Sequence, residues 1–216
     1  MIDEACLFCA EERDPTSART FLSPNWPYPD RILFSNPSAF LVPGYSPQVY
    51  PYALLLPRRH TISMAKTTPG ERTGAFACLQ SLLDLRVGGS DTLYIFEHGG
   101  CINPSGSNAC LDHAHYHVIP STVDIFTDFV REKHPTPFTF SPQSTVEYER
   151  YLFAGIYQGG ALVDGFIAES HLPERQYFRR LIARQIGDPR WNWRLGINEQ
   201  YMLALKSVVD SGRRPE

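Results

Sequence analysis

The chain has 216 residues, of which 43% are apolar, 12% aromatic and 20% charged, a profile that excludes a disordered tail, a collagenous repeat and a coiled coil. Lys and Arg number 20 against 23 Asp and Glu, a formal charge of -3, so no global field draws a polyanion or a membrane surface, and a dedicated duplex-DNA binder is not expected. Five scattered Cys argue against a disulfide framework, the acidic start MIDEACLFCAEERD is neither a signal nor a presequence, and no apolar run is long enough to span a membrane, which leads us to expect a cytoplasmic protein.

In chain order, Cys6 and Cys9 come first, as a Cys-x-x-Cys pair whose spacing lets both thiolates reach one tetrahedral metal ion. Two buried structural thiols are the plainer alternative. A thioredoxin-like redox pair needs a following helix in a strand-helix-strand unit, and Glu11-Glu12-Arg13-Asp14-Pro15 promises no such context. The apolar runs 39–42 and 52–56, separated by a segment holding Gly44, Pro47 and Pro51, read as neighbouring strands, the second stopping at Pro57. His60 follows Pro57-Arg58-Arg59 at that strand's exit, where a side chain can turn toward the end of a neighbouring strand.

Thr68-Pro69-Gly70-Glu71 has capping-box spacing with Pro at the first helical position, and apolar residues from Ala75 to Leu83 recur at helical intervals, so one amphipathic helix is expected to end near Gly88. A strand at 93–96, a Gly-, Ser- and Asn-rich loop at 99–108 and an extended run at 113–119 follow. Beyond Ser121, the runs 151–157 and 161–168 flank Gln158-Gly159-Gly160 as a hairpin, a helix should cover 173–187, and Asn198 is placed to cap a last helix reaching Asp210. The expectation is an α+β core over 1–122 carrying a C-terminal hairpin and helix extension, 123–216, packed on it.

The most informative stretch is Asp112-His113-Ala114-His115-Tyr116-His117-Val118-Ile119-Pro120, where three of the seven His fall at alternate positions. In an extended chain alternate side chains share a face about 7 Å apart, so the three imidazoles should form a row. A solvated polar face would explain one such His but poorly explains three in register. With His60 and His113 as third and fourth ligands, Cys6 and Cys9 complete a closed Cys2His2 set, which favours a structural ion and leaves His115 and His117 free. A rival reading makes the His row itself a catalytic metal site.

These features together resemble the histidine triad superfamily of nucleotide hydrolases and transferases. Its pattern, His-φ-His-φ-His-φ-φ, stands here as residues 113–119, preceded by the apolar strand with Pro-Arg-Arg-His60 and by the Cys pair of zinc-bearing members. The resemblance covers about residues 5 to 122 and implies an antiparallel half-barrel sheet with helices packed on it, a structural zinc, and often a two-fold homodimer. It further implies that His115 attacks the α-phosphorus of a small-molecule nucleotide to form a nucleotidyl-histidine, while His117 binds phosphate oxygen or assists the leaving group. A neutral imidazole suits this role, being nucleophilic near pH 7 and a good leaving group once phosphorylated. A third His in place of the Gln of the transferase branches points to hydrolysis, with transfer to another acceptor as the alternative.

Phosphate donors are expected from the loop after the 93–96 strand, with Ser105, Ser107 and Asn108 as candidates, and from His98, which stands where many relatives carry Asn. From Arg175 to Arg194 six Arg and one acid, Asp188, give a local charge of +5, read either as a solvated helix face or as a source of phosphate contacts, Arg179 foremost. Trp191 and Trp193 are read as core residues or as a stacking surface for a base. Adenylate removal from DNA ends also occurs in the superfamily, but the net charge speaks against a nucleic-acid partner.

Overall fold

Strand-forming runs that are apolar at every position must be covered on both faces, and this requirement organises the molecule. The computed structural model describes residues 6–14, 26–100, 113–138, 144, 146–170, 176–196 and 198–212. Strands β1 (Phe34–Ser35), β2 (Ala39–Pro43), β3 (Ala53–Pro57), β4 (Thr92–Gly99), β5 (Tyr116–Pro120), β6 (Thr136–Pro137), β7 (Tyr151–Gln158) and β8 (Ala161–Glu169) form one sheet in the order β1-β2-β3-β5-β4-β7-β8-β6. Every pairing is antiparallel. All residues of β2 and β3 are buried, as their composition requires.

Helices α1 (Leu7–Arg13), α2 (Pro69–Asp84), α3 (Phe126–Lys133), α4 (Tyr177–Ile186) and α5 (Glu199–Gly212) cover the sheet. One face packs Leu41, Leu55 and Ile95 against Leu79 and Leu82 of α2 and Leu205 and Val209 of α5. The other packs Phe40, Leu54 and Phe96 against Phe8 of α1, Phe129 of α3 and Phe178 and Leu181 of α4. The capping box forms as the sequence suggests, with Glu71 N donating to Thr68 Oγ1 at 3.2 Å and Thr68 N to the Glu71 carboxylate at 2.7 Å. The helix ends at Asp84, short of Gly88, which lies in a following 3-10 turn with a left-handed φ of 77°.

The hairpin of β7 and β8 is present, and all eight residues of β4 pair with β7, so residues beyond 122 extend the same sheet. Four elements have no counterpart in the sequence reading: α1, β1, α3 and β6. The stretch after Cys6 is helical after all, because Cys6 caps it and its apolar face is buried by the sheet. The ladder of β5 starts at Tyr116, and His113 to His115 reach it through an irregular segment tied by Ala114 N donating to Thr61 O at 2.6 Å. The helix expected over 173–187 spans Tyr177–Ile186, with 171–175 outside the described residues. No helix among the described residues is long and apolar enough to cross a membrane.

A candidate metal centre beside a histidine row

Helix α1 sets the first two ligands. Cys6 is its N-cap, and its Sγ accepts from Cys9 N at 3.5 Å, so the two thiols fall on one side of the first turn. His60 arrives from the exit of β3 and His113 from the segment leading into β5. The four ligand atoms lie within 4.8 Å of one another. His113 Nδ1 is 3.4 Å from Cys6 Sγ and 3.6 Å from Cys9 Sγ, and His60 Nδ1 is 3.4 Å from Cys9 Sγ. Tetrahedral zinc with ordinary Zn–S and Zn–N bonds separates sulfur from nitrogen by about 3.6 Å, which these distances match.

The surroundings agree with such a donor set. His113 Nε2 lies 2.8 Å from Pro57 O, a carbonyl that can only accept, so the ring proton sits on Nε2 and Nδ1 keeps its lone pair for the ion. Burial holds His113 down to about 4, hence neutral, and pushes the Cys6 thiol up to about 12, so that a cation in the cluster is what would make it a thiolate. Four protein ligands close a tetrahedron, the pattern of a structural site. Among the described residues the cluster includes His113 but neither His115 nor His117.

His115 stands next to the cluster. Its Nδ1 is 2.8 Å from His113 O, so by the same logic Nδ1 carries the proton and Nε2 presents a bare lone pair. The ring packs 5.7 Å from Phe8 of α1 and 4.7 Å from the ring of His117, and is half-buried. His117 lies opposite Leu54 on β3 and Phe96 on β4, stacks on Phe96 at 4.6 Å and 12°, and has its Nδ1 2.8 Å from Tyr52 Oη. Burial lowers the pKa of His115 and holds that of His117 well below the ordinary range, so both rings are neutral near pH 7. Ala114, Tyr116 and Val118 belong to the opposite core, as alternation in an extended segment dictates.

The remaining candidates divide. His98, at the end of β4, is 6.4 Å ring to ring from His117, and its Nε2 accepts from Tyr177 N at 3.1 Å, capping α4. Burial drives it down to about 3. Ser105, Ser107 and Asn108 lie outside the described residues, as does Arg175. Arg179 is buried and turned inward: Nε donates to Trp191 O at 2.8 Å, Nη2 to Ser46 O at 2.7 Å, and Nη1 to Tyr45 O and Tyr52 Oη at 3.4 Å each. The rest of the basic run is dispersed, with Arg184 on Glu132 at 2.7 Å, Arg190 on Asp188 at 2.6 Å, and Arg180 and Arg194 over Trp191 and Trp193 at 5.8 and 5.4 Å. Tyr52, expected from sequence only as the start of the 52–56 strand, stands next to His117; its place just before β3 on the face of Leu54 and Leu56 was the available signal for that role.

No protein-family model matches the chain, and no curated protein does. Among solved structures it is similar to a Hit-like protein involved in cell-cycle regulation from Bartonella henselae, at 14% identity and a TM-score of 0.39 over 56% of this chain and 79% of that one. A HIT family hydrolase from Clostridium thermocellum is similar at 14% identity and 0.34, over 55% and 91%. A hypothetical histidine triad nucleotide-binding protein from Sulfolobus tokodaii is similar at 14% and 0.36, over 85% and 86%.

Proposed function

We propose that the protein is a nucleotide hydrolase of the histidine triad type that cleaves at the α-phosphate of a nucleoside phosphate derivative through a nucleotidyl-His115 intermediate. The observation that carries this is the bond between His115 Nδ1 and the His113 carbonyl at 2.8 Å, which leaves Nε2 as an unprotonated nucleophile in a half-buried position. In the first step the Nε2 lone pair attacks phosphorus and the bond to the leaving group breaks with its electron pair. His117, on the neighbouring position of the row, is placed to hydrogen-bond the leaving atom or a phosphoryl oxygen. In the second step water attacks phosphorus and loses its proton to solvent, while the P–Nε2 bond breaks and its electron pair returns to His115. Transfer to phosphate or a sugar phosphate in place of water would use the same intermediate.

Cys6, Cys9, His60 and His113 would hold a zinc ion, which supplies rigidity beneath the row. The rival in which the whole row binds a catalytic metal is disfavoured because, among the described residues, the donor atoms that converge are those of Cys6, Cys9, His60 and His113, and neither His115 nor His117 joins them. Phosphate contact is proposed for Ser105, Ser107 and Asn108, and the setting of substrate choice for residues 123–216. The test is release of nucleoside monophosphate from phosphoramidates, dinucleoside polyphosphates, adenylyl sulfate and nucleotide sugars, with acid quenching to trap labelled adduct. His115→Ala should abolish both turnover and adduct while keeping bound zinc; turnover that survives, or zinc lost with His115, overturns the reading.

A further inference from the structure

Tyr52 and Arg179 are both buried, and neither has a place in the reaction as described above. Tyr52 Oη lies 2.8 Å from His117 Nδ1 and 3.4 Å from Arg179 Nη1. The guanidinium also sits 5.6 Å from the centre of the Tyr52 ring. Arg179 has no acceptor atom, so Tyr52 oxygen receives the bond from Arg179 and its own proton needs another acceptor. Among the described residues, His117 Nδ1 is the atom in reach. Were Nδ1 to carry hydrogen instead, the hydroxyl proton of a buried tyrosine would be left facing two donors, a costly arrangement.

The chain of donors is built into the fold. Leu54 lies opposite His117 in the ladder, and Tyr52, two residues earlier, is the diagonal neighbour on that face. The Tyr52 ring lies against Gly44, where an added Cβ would come within 2.3 Å of it, so Gly44 admits the ring. Arg179 is fixed by the carbonyls of Ser46 and Trp191 at 2.7 and 2.8 Å, and its own carbonyl accepts from Gln48 Nε2 at 3.0 Å. Phe96 stacks beneath the imidazole and keeps it from turning.

We propose that Arg179 and Tyr52 are positioning residues that lock His117 as its Nε2–H tautomer, so that the ring meets the leaving atom or phosphoryl oxygen as a hydrogen-bond donor. This rests on the nucleotide hydrolase reading for its purpose but not for its geometry. His115 and His117 thereby present opposite faces of imidazole chemistry: a bare Nε2 on the first, fixed by a carbonyl, and a protonated Nε2 on the second, fixed by a phenol. Arg179, from α4, contributes without touching substrate.

The test uses the full-length protein labelled with 15N-histidine, the His117 signals being assigned by their loss in His117→Asn. Long-range proton–nitrogen NMR should show a single Nε2–H tautomer for His117 in the wild type and a shift toward Nδ1–H in Tyr52→Phe, with fold and zinc content retained. Release of nucleoside monophosphate should lose roughly tenfold or more in kcat with KM within about twofold, a part of what a proton-donating group contributes. Arg179→Lys, which keeps the charge but not the fork of donors, should give a smaller shift of the same sign. An Nδ1–H tautomer in the wild type, or an unchanged tautomer and kcat in Tyr52→Phe, overturns the proposal while leaving the hydrolase reading intact. A tautomer that switches in a protein releasing no nucleoside monophosphate from any substrate supports the lock and overturns the hydrolase reading instead.

Discussion

Glu97, in the middle of β4, lies on the face opposite the histidines, with Leu93 and Ile95, and is almost fully buried. Its carboxyl accepts from Met64 N at 2.7 Å and pairs with Tyr151 Oη at 2.6 Å, and burial raises its pKa to about 8. A folded-state pKa above the unfolded one means that stability is fully present below the ordinary carboxyl value and is lost as pH rises through about 8. Glu97→Gln keeps an acceptor for Met64 N and turns an amide N–H toward Tyr151 Oη, whose own proton can pass to Ser63 Oγ at 2.7 Å, so its advantage over the wild type should grow from pH 5 to pH 8, toward an upper bound of about 5 kcal/mol. Denaturant titrations at a series of pH values measure it, and parallel stability curves for the two proteins would contradict it. The histidines work in the other direction. His98 is held down to about 3, so its contribution is present above the ordinary His value of about 6.5 and lost as pH falls from there toward 3. The same lowering at His115 and His117 keeps the proposed nucleophile neutral near pH 7, so the fall of kcat/KM on acidification should have its midpoint below about 6.5. A pH–rate profile that halves near 6.5 would place an ordinary exposed imidazole at the reaction instead.

At the scale of elements, α1 is the least self-sufficient. A helix of seven residues does not persist alone in water, so α1 depends on Phe8 in the core, on the two thiols, and on Glu11, whose carboxylate accepts two bonds from the Arg31 guanidinium at 2.5 and 2.7 Å. Both partners of that pair are buried, and Arg31 also donates to Pro43 O at 2.7 Å. Glu11→Ala leaves a buried cation unpaired and should cost about 3–5 kcal/mol in unfolding free energy, read by denaturant titration. Chelation of the metal should act farther than its ligands, because His113 offers Nδ1 to the ion and its carbonyl to His115. Amide exchange should quicken at 7–13 and 113–117 and turnover should fall, both recovering with added zinc; full turnover in the chelated protein would separate the two sites. These dependences explain what was legible beforehand. The capping box of α2 and the β7–β8 hairpin are local signals and were readable from spacing and turn residues. So was the Cys2His2 set, since metal-ligand chemistry restricts the residue types. Helix α1 was not, because tertiary contacts and a Cys cap form it. The signal for α3 was Asp124, whose carboxylate accepts from Phe126 N and Thr127 N at 2.9 and 3.1 Å. Arg179 looked like a phosphate ligand because charge is visible in a sequence and the carbonyls that surround a side chain are not.

For the whole molecule, the sheet runs on past the end of the motif. The residues that carry the resemblance end near 122, yet β4 forms its longest ladder with β7, and α4 brings Phe178 within 4.8 Å of Phe96 and 5.4 Å of His98, ring to ring. Arg179 of the same helix reaches Tyr52. A chain cut after residue 122 would therefore expose all eight backbone positions of β4 as an open edge and strip the cover from the ring on which His117 stacks. We expect residues 1–122 alone to aggregate or to lack a cooperative unfolding transition, although all four metal ligands and the complete His row are present in them. Phe178→Ala in the full chain is the graded version, expected to cost about 3–5 kcal/mol as a large-to-small change in a packed core. Circular dichroism and a thermal melt of the fragment decide the matter. A soluble fragment that binds zinc and melts cooperatively would make 123–216 a separable addition, and would remove the reason for tying the orientation of His117 to a helix that lies 60 residues further along the chain.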